Sequence, residues 1–176
     1  MSRHAGGLYA QSIGDTWEQI IAMCAARAGV LAVKQYPPIL FSSRSKISVL
    51  ERAYPDWCIQ YDGDRIAWVE SKTTKNKSTL KVKRAQSHQY DRLVELMDRG
   101  APAMYLVWWR TDDTVEAYQV DPDTHWEDFV MRRGGGIACG TIEDNIFAVL
   151  VEALRVRLRH TQGLLVRPGG SSPPDR

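Results

Sequence analysis

Paired cysteines are missing from this 176-residue sequence: Cys24, Cys58 and Cys139 stand far apart, with no Cys-x-x-Cys and no Cys/His metal spacing. That absence excludes a disulfide framework and a structural zinc site, and leaves each thiol as a small buried apolar group. Long apolar runs are missing too. The longest, around Ala101 to Trp109, falls well short of the roughly 20 residues that cross a bilayer. The segment Met1 to Gly7 has no apolar secretory core, so cytoplasmic residence, without membrane or organic cofactor, is the expectation. Internal repeats are absent, and a length of 176 residues allows one well-buried core rather than two domains.

Net charge is also nearly absent, at +2, but the charges are unevenly placed. From Ser71 to Tyr90 the chain carries Lys72, Lys75, Lys77, Lys81, Lys83 and Arg84 with no acidic residue. A segment of one sign can be a plain solvated face. It also sets up a local positive potential suited to a phosphate backbone, which makes Lys75, Lys77, Lys81, Lys83 and Arg84 candidate DNA contacts.

Periodicity predicts a helix over about Ser12 to Ala28, stopped by Gly29, and a short strand over Val30 to Tyr36, broken by Pro37-Pro38. Residues 37–53 mix apolar residues with Arg44, Lys46 and Arg52, as a projecting basic hairpin or loop would. The clearest signal follows. A strand from Asp56 to Tyr61, the turn Asp62-Gly63-Asp64 and a return strand from Arg65 to Lys72 form a hairpin. A linker through Ser78, a helix from about Lys83 to Arg99 and strands at Met104 to Arg110 and Val115 to Val120 come next. The pattern then gives a short helix at Trp126 to Met131, a flexible loop at Gly134 to Gly136 and a helix from Asp144 to Arg159. The tail from Arg167 is expected to be disordered. Trp57, Trp68, Trp108 and Trp109 alternate within strands and read as core, and Asp112-Asp113 as a turn. The order of elements makes a single α/β domain over 1–166, with a mixed β-sheet flanked by helices and a short basic projection at 36–54.

Chemistry concentrates at the open end of the hairpin. With the turn at 62–64, Asp56 and Glu70 fall opposite each other on adjacent strands, where Cβ atoms lie about 5 Å apart. Both carboxylates can then reach one divalent cation, with the Ser71 carbonyl as a further oxygen ligand. Mg2+ is the expected ion, with Mn2+ able to substitute. Glu70 and Lys72 are two apart and share a face, so the lysine can orient a water or offset charge growing on a phosphorus. A Pro-Asp followed by Glu-x-Lys also arises by chance in surface strands. Here the two halves flank a hairpin of suitable length, a basic acid-free segment follows, and Glu18 sits on the N-terminal helix after Gly14.

These residues resemble the PD-(D/E)XK nucleases and, more narrowly, the RecU-type Holliday junction resolvases. The similarity runs from Gly14-Asp-Thr-Trp-Glu18 through Tyr61-Asp-Gly63, Val69-Glu-Ser-Lys-Thr-Thr74 and His88-Gln89 to the strand Met104 to Trp109. Pro55 stands where a Thr is common, Ile13 where an Arg is frequent, and nothing from about Asp121 onward matches. The resemblance implies a restriction-endonuclease-like fold and a homodimer that nicks opposed strands of branched DNA. It implies an acidic cluster of Glu18, Asp56 and Glu70, a catalytic Lys72, an active-site polar Gln89, and junction contacts from Arg44 and Lys46 in the projection. Gln86 and Tyr90 also make the Gln-x-x-x-Tyr of exonuclease-like relatives, which places Gln86 beside Gln89 as a DNA contact; His88 reads as a hydrogen-bonding residue. The alternatives are a restriction-like or exonuclease-like DNase acting on linear duplex or ends, and a junction-binding protein that does not cut.

Overall fold

The computed structural model describes residues 3–36, 39–41, 47–49 and 54–165, with side chains described over 13–36 and 54–155. Arg44, Lys46, Arg52 and the tail from Arg167 lie outside the described residues.

The N-terminal helix is α1 (Arg3–Arg27), which buries Trp17, Ile21, Cys24 and Ala25 along one stripe. Gly29, at φ +67°, ends it, and the Val30 N–H returns to the Ala25 carbonyl at 2.9 Å. The chain then enters β1 (Leu31–Lys34). The ambiguous segment forms a small antiparallel pair, β2 (Ile39–Phe41) with β3 (Ile47–Val49), so its described backbone is a hairpin.

The hairpin expected from Asp62-Gly63 is β4 (Trp57–Tyr61) with β5 (Arg65–Thr74), registered Trp57 to Val69 and Tyr61 to Arg65. Asp62 and Gly63 both take positive φ, 47° and 81°, which is why this dipeptide suits the turn. Beyond β5 come β6 (Thr79–Lys81), a 3-10 turn at Arg84–Gln86, α2 (Ser87–Asp98) and β7 (Ala103–Trp109). The remainder is β8 (Thr114–Gln119), β9 (Val130–Arg132), β10 (Ile137–Thr141) and α3 (Ile146–Leu165).

Six strands build one mixed sheet in the order β1-β4-β5-β7-β8-β10. Only β5 and β7 run parallel; α2 lies on the crossover between them, as a parallel pair requires. The sheet separates two cores. On one side α1 and α3 cover Ile59, Ala67, Val69, Met104 and Leu106. On the other α2 covers Ala103, Tyr105, Val107 and Trp109. Strand β7 is buried along its whole length, which explains its unbroken apolar run. Trp57, Trp108 and Trp109 are core residues, whereas Trp68 is half-buried. Cys24 and Cys139 are buried free thiols.

Thr79–Lys81, beyond the linker that ends at Ser78, is a strand paired with β9. Three local expectations need correction. Lys83 and Arg84 precede α2, whose helix proper starts at Ser87. The helix expected at Trp126 to Met131 is a turn closed by Asp128 and Phe129 N–H groups on the His125 carbonyl, followed by β9. There Phe129 packs against the rings of Tyr90 and Tyr105, and Met131 is buried opposite Leu80, a demand that a strand meets and one helical stripe does not. Gly134 to Gly136 is not a loose loop. The Gly134 N–H donates to both oxygens of buried Glu116 at 2.9 and 3.0 Å.

A Cβ at Gly136 would stand 2.8 Å from the Ala117 carbonyl oxygen and 3.1 Å from the Tyr118 ring, closer than packed atoms allow. Gly136→Ala should therefore cost about 1–3 kcal/mol, as overpacking does. Calorimetry should show a melting temperature lower by several degrees; an unchanged value would mean that the turn yields freely.

Candidate active site at the open end of a hairpin

At the end of the hairpin away from the turn, the ladder stops at Trp57 opposite Val69, so Asp56 and Glu70 are the next facing positions. The Asp56 N–H donates to Glu70 Oε2 at 3.3 Å, which sets the two residues side by side. Asp56 Oδ2 accepts from both the Ser71 N–H (2.9 Å) and the Ser71 hydroxyl (2.8 Å). An aspartate side chain thus takes over where ladder pairing ends, and it fixes the carboxyl group. Ser71 therefore contributes its N–H and hydroxyl, as well as a carbonyl, to this corner.

Glu70 is 2% exposed. Its burial pushes the carboxyl above the usual carboxylate range; the Lys72 ammonium pulls it down and the nearby Asp56 charge pushes it up again. Lys72, on the same face, donates to Glu70 Oε1 at 2.7 Å and to Gln89 Oε1 at 2.8 Å. Gln89 reaches in from the first turn of α2. Four of the residues singled out in the sequence, Asp56, Glu70, Lys72 and Gln89, thus meet in one hydrogen-bonded chain.

Glu18 does not join them. Its carboxylate pairs with Lys34 of β1, and the next residue's N–H, that of Gln35, donates to the Asp56 carbonyl at 2.7 Å. Glu18 therefore stands at the same end of the sheet, held by a cation of its own. Among the described residues no three acidic, histidine or cysteine side chains gather as a metal cluster. The three-acid set implied by the resemblance is a pair here.

Two hard carboxylates on adjoining strands, one of them disfavoured as an anion by burial and by its neighbour, fit a small divalent cation. Asp56 and Glu70 would hold it, with the Ser71 carbonyl as the next oxygen donor.

Of the basic residues, Lys81 lies next to Lys72 at a small cavity, whereas Lys75 follows the end of β5, where its carbonyl accepts from the Thr111 hydroxyl. Lys75, Lys77, Lys81, Lys83 and Arg84 are all exposed, as is His88. Gln86 lines a cavity of about 20 Å³ with Lys72, Leu80, Lys81, Val82, Tyr105 and Met131. Its Gln-x-x-x-Tyr partner does something else. Tyr90 is buried, and its hydroxyl donates toward the Asp121 and Thr124 carbonyls at 2.8 Å each, so it pins a loop rather than facing DNA.

The sequence did not single out three residues next to the site. Tyr105 stands opposite Glu70 on β7, fully buried, with no hydrogen-bond partner for its hydroxyl among the described residues. Burial and the Glu70 charge both raise its phenol. Tyr54 stacks on Trp68 with ring centroids 5.3 Å apart, and the Arg92 guanidinium lies 4.6 Å from the Tyr54 ring centroid. This stack fixes the chain just before Pro55-Asp56. An aromatic residue before Pro-Asp, with Trp68 two residues ahead of Glu70 on the same face, was the available signal. Nothing marked Tyr105 within its all-apolar strand.

The chain matches no family model and no curated protein. Among solved structures, one that aligns with it is Hjc of Archaeoglobus fulgidus, a Holliday junction resolvase from an archaeal hyperthermophile. The identity is 16% and the TM-score 0.47, over 68% of this chain and 88% of that one.

Because burial disfavours the Glu70 anion, the folded state holds a proton there that the unfolded state has already lost once the pH passes the ordinary carboxylate value. The unfolded state then binds fewer protons, so this group lowers stability as pH rises through that window. Glu70→Gln, without added metal, should melt above the wild type at neutral pH. The gap should close as the pH falls below about 4.3, the ordinary glutamate value. A variant that melts lower at every pH would show that the Lys72 contact outweighs burial.

Proposed function

We propose that the chain is a metal-dependent endonuclease that resolves four-way DNA junctions by paired symmetric nicks, with Mg2+ as the ion and Mn2+ as a substitute. The single observation that carries this reading is the hydrogen-bonded chain from Asp56 and Glu70 through Lys72 to Gln89, set at the open end of one hairpin beside an exposed basic segment.

A divalent ion bound by Asp56 and Glu70 would supply polarisation of the phosphoryl oxygen and an acidified water. The remaining work falls to the chain itself. Glu70 and Gln89 hold two of the Lys72 ammonium protons, which leaves the third to meet a phosphate oxygen or an attacking water. With two of its protons so engaged, Lys72 is placed to position a water and offset growing phosphate charge rather than to serve as a base. Ser71 holds Asp56 through two hydrogen bonds, so the carboxyl group is oriented before any substrate arrives. Lys75, Lys77, Lys81, Lys83 and Arg84 supply sequence-independent attraction for the phosphate backbone. Branched DNA, rather than linear duplex or ends, is the substrate that the sequence resemblance favours, with Arg44 and Lys46 as further contacts.

The proposal includes a homodimer, with one site for each strand cut. An apolar face supports it. Leu31, Gln60 and Ile66 form one cross-strand row and Val33, Cys58 and Trp68 the next, on the face opposite the α1 side. Leu31 is 58% exposed, Val33 45% and Ile66 41%, an unusual set for a lone sheet face. Leu31→Arg with Val33→Arg should give a monomer in sedimentation equilibrium and reduce paired cutting to single nicks. A double variant that stays dimeric would move the interface elsewhere.

Incubation of labelled four-way junctions and plain duplex with Mg2+ tests the activity. Symmetric nicks in the junction alone, abolished by EDTA, are the expected result; cutting of duplex ends would favour the exonuclease-like alternative. Asp56→Asn and Glu70→Gln should abolish cutting while junction binding survives, and Lys72→Ala should slow it by about 10²–10³-fold. Full activity in either carboxylate variant would remove this mechanism.

A further inference from the structure

The part of the chain that lacks any sequence resemblance, from about Asp121 onward, is brought by the fold against the basic segment. Strand β9 pairs antiparallel with β6, registered Thr79 to Arg132, Leu80 to Met131 and Lys81 to Val130. Met131 and Leu80 point inward and pack into the α2 core. By alternation Thr79, Lys81, Val130 and Arg132 share the outer face, and both cations are exposed. We infer that β6 and β9 form a rigid two-stranded ribbon that binds the sugar-phosphate backbone of DNA, with Arg132 a phosphate contact beside Lys81.

Three observations support the ribbon. The first is charge. Lys81 and Arg132 form a diagonal cross-strand pair, at positions about 7–8 Å apart with Cβ atoms somewhat closer, a spacing that suits two phosphates of one strand. Neither has an ion-pair partner among the described residues, whereas neighbouring Arg133 is engaged by Asp112. The nearest acids in sequence, Glu127 and Asp128, lie in the turn before β9.

The second is rigidity. The Arg132 carbonyl accepts from the Tyr118 hydroxyl at 2.8 Å and from the Gly135 N–H at 2.8 Å. The Arg133 N–H donates to the Ser78 carbonyl at 2.9 Å, and the Gly134 N–H is held by Glu116, itself 7% exposed. The single Tyr118 hydroxyl proton is shared between the Arg132 carbonyl and Glu116. A buried carboxylate contacted by two donors ties the ribbon to the main sheet through β8. Its side chains therefore present charge at little ordering cost.

The third is position. The small cavity beside Lys72 is walled by Leu80, Lys81 and Met131, so the ribbon abuts the lysine of the candidate active site. Lys81 is thus the ribbon cation nearest Lys72, with Arg132 one diagonal step further along the same face.

This inference rests on the proposed nuclease reading, and the test separates the two. The full chain is titrated in EDTA, where no cutting occurs, against a fluorescein-labelled duplex and a four-way junction, with binding read by anisotropy over a series of salt concentrations. Arg132→Ala should weaken binding several-fold on both DNAs alike and lower the slope of log affinity against log salt by about 1. Arg132→Lys should retain most of that slope. Arg65→Ala, at the turn end of β5, should change neither quantity. If the wild type binds and Arg132→Ala keeps its affinity and slope, the ribbon falls and the nuclease reading stands. If the wild type binds neither DNA, both fall together.

Discussion

The structure depends on the burial of one carboxylate. Glu70 lies in the middle of the longest strand of the sheet, with β4 on one side and β7 on the other. An isolated anion in such a place costs several kcal/mol in lost hydration. Its cost is offset by the Lys72 ammonium and by the Asp56 N–H, and neither group is placed by accident. Strand alternation puts Lys72 on the same face, and hairpin register puts Asp56 opposite. The backbone geometry that makes the sheet is therefore what makes the site, and the charge imbalance that remains there is what a cation would relieve.

That link explains why the site was legible in the sequence. The Asp-Gly turn fixes the register of β4 and β5, and the register fixes which residues meet fourteen positions apart. A period of two then decides which side chain joins them. These rules are local, so Asp56, Glu70 and Lys72 could be placed together without tertiary information. Gln89 was reached through the resemblance rather than through geometry, because a helix crossing over the sheet is a tertiary event. Glu18 shows the limit. Its helix could be read, and its nearness to the pair came only through the resemblance. Its partner could not be read, since Lys34 belongs to a short strand whose side-chain direction only the folded sheet reveals.

The strands that the sequence did not show share a physical cause. Thr79–Lys81, Val130–Arg132 and Ile137–Thr141 are strands of three to five residues, too short to show a period. Each exists because of a partner far away in sequence: β6 and β9 stabilise each other, and β10 needs the edge of β8. Glycine reinforced the error. Gly134-Gly-Gly136 looks like slack, yet Gly136 is required because Ala117 and Tyr118 pass too close for any side chain. Composition reports conformational freedom, whereas a close approach is a property of two chains that meet.

Side-chain carboxylates hold turns or strand ends in place, among them Asp56 on Ser71, Glu116 on Gly134, and Asp62, which receives Arg155 of α3 at 2.8 Å. Two of these anchors flank the basic edge, one at the open end of the hairpin and one under β9. Lys77, Lys81 and Lys83 between them are exposed, while the backbone of β6 that carries Lys81 is held by its pairing with β9. Long side chains on a fixed frame suit a partner whose charge repeats regularly along its length but whose local path varies, because each ammonium can adjust while the frame sets the direction. A site meant for one small ligand would require the reverse arrangement, with the charged groups themselves locked. On this edge of the sheet the locking falls on the backbone.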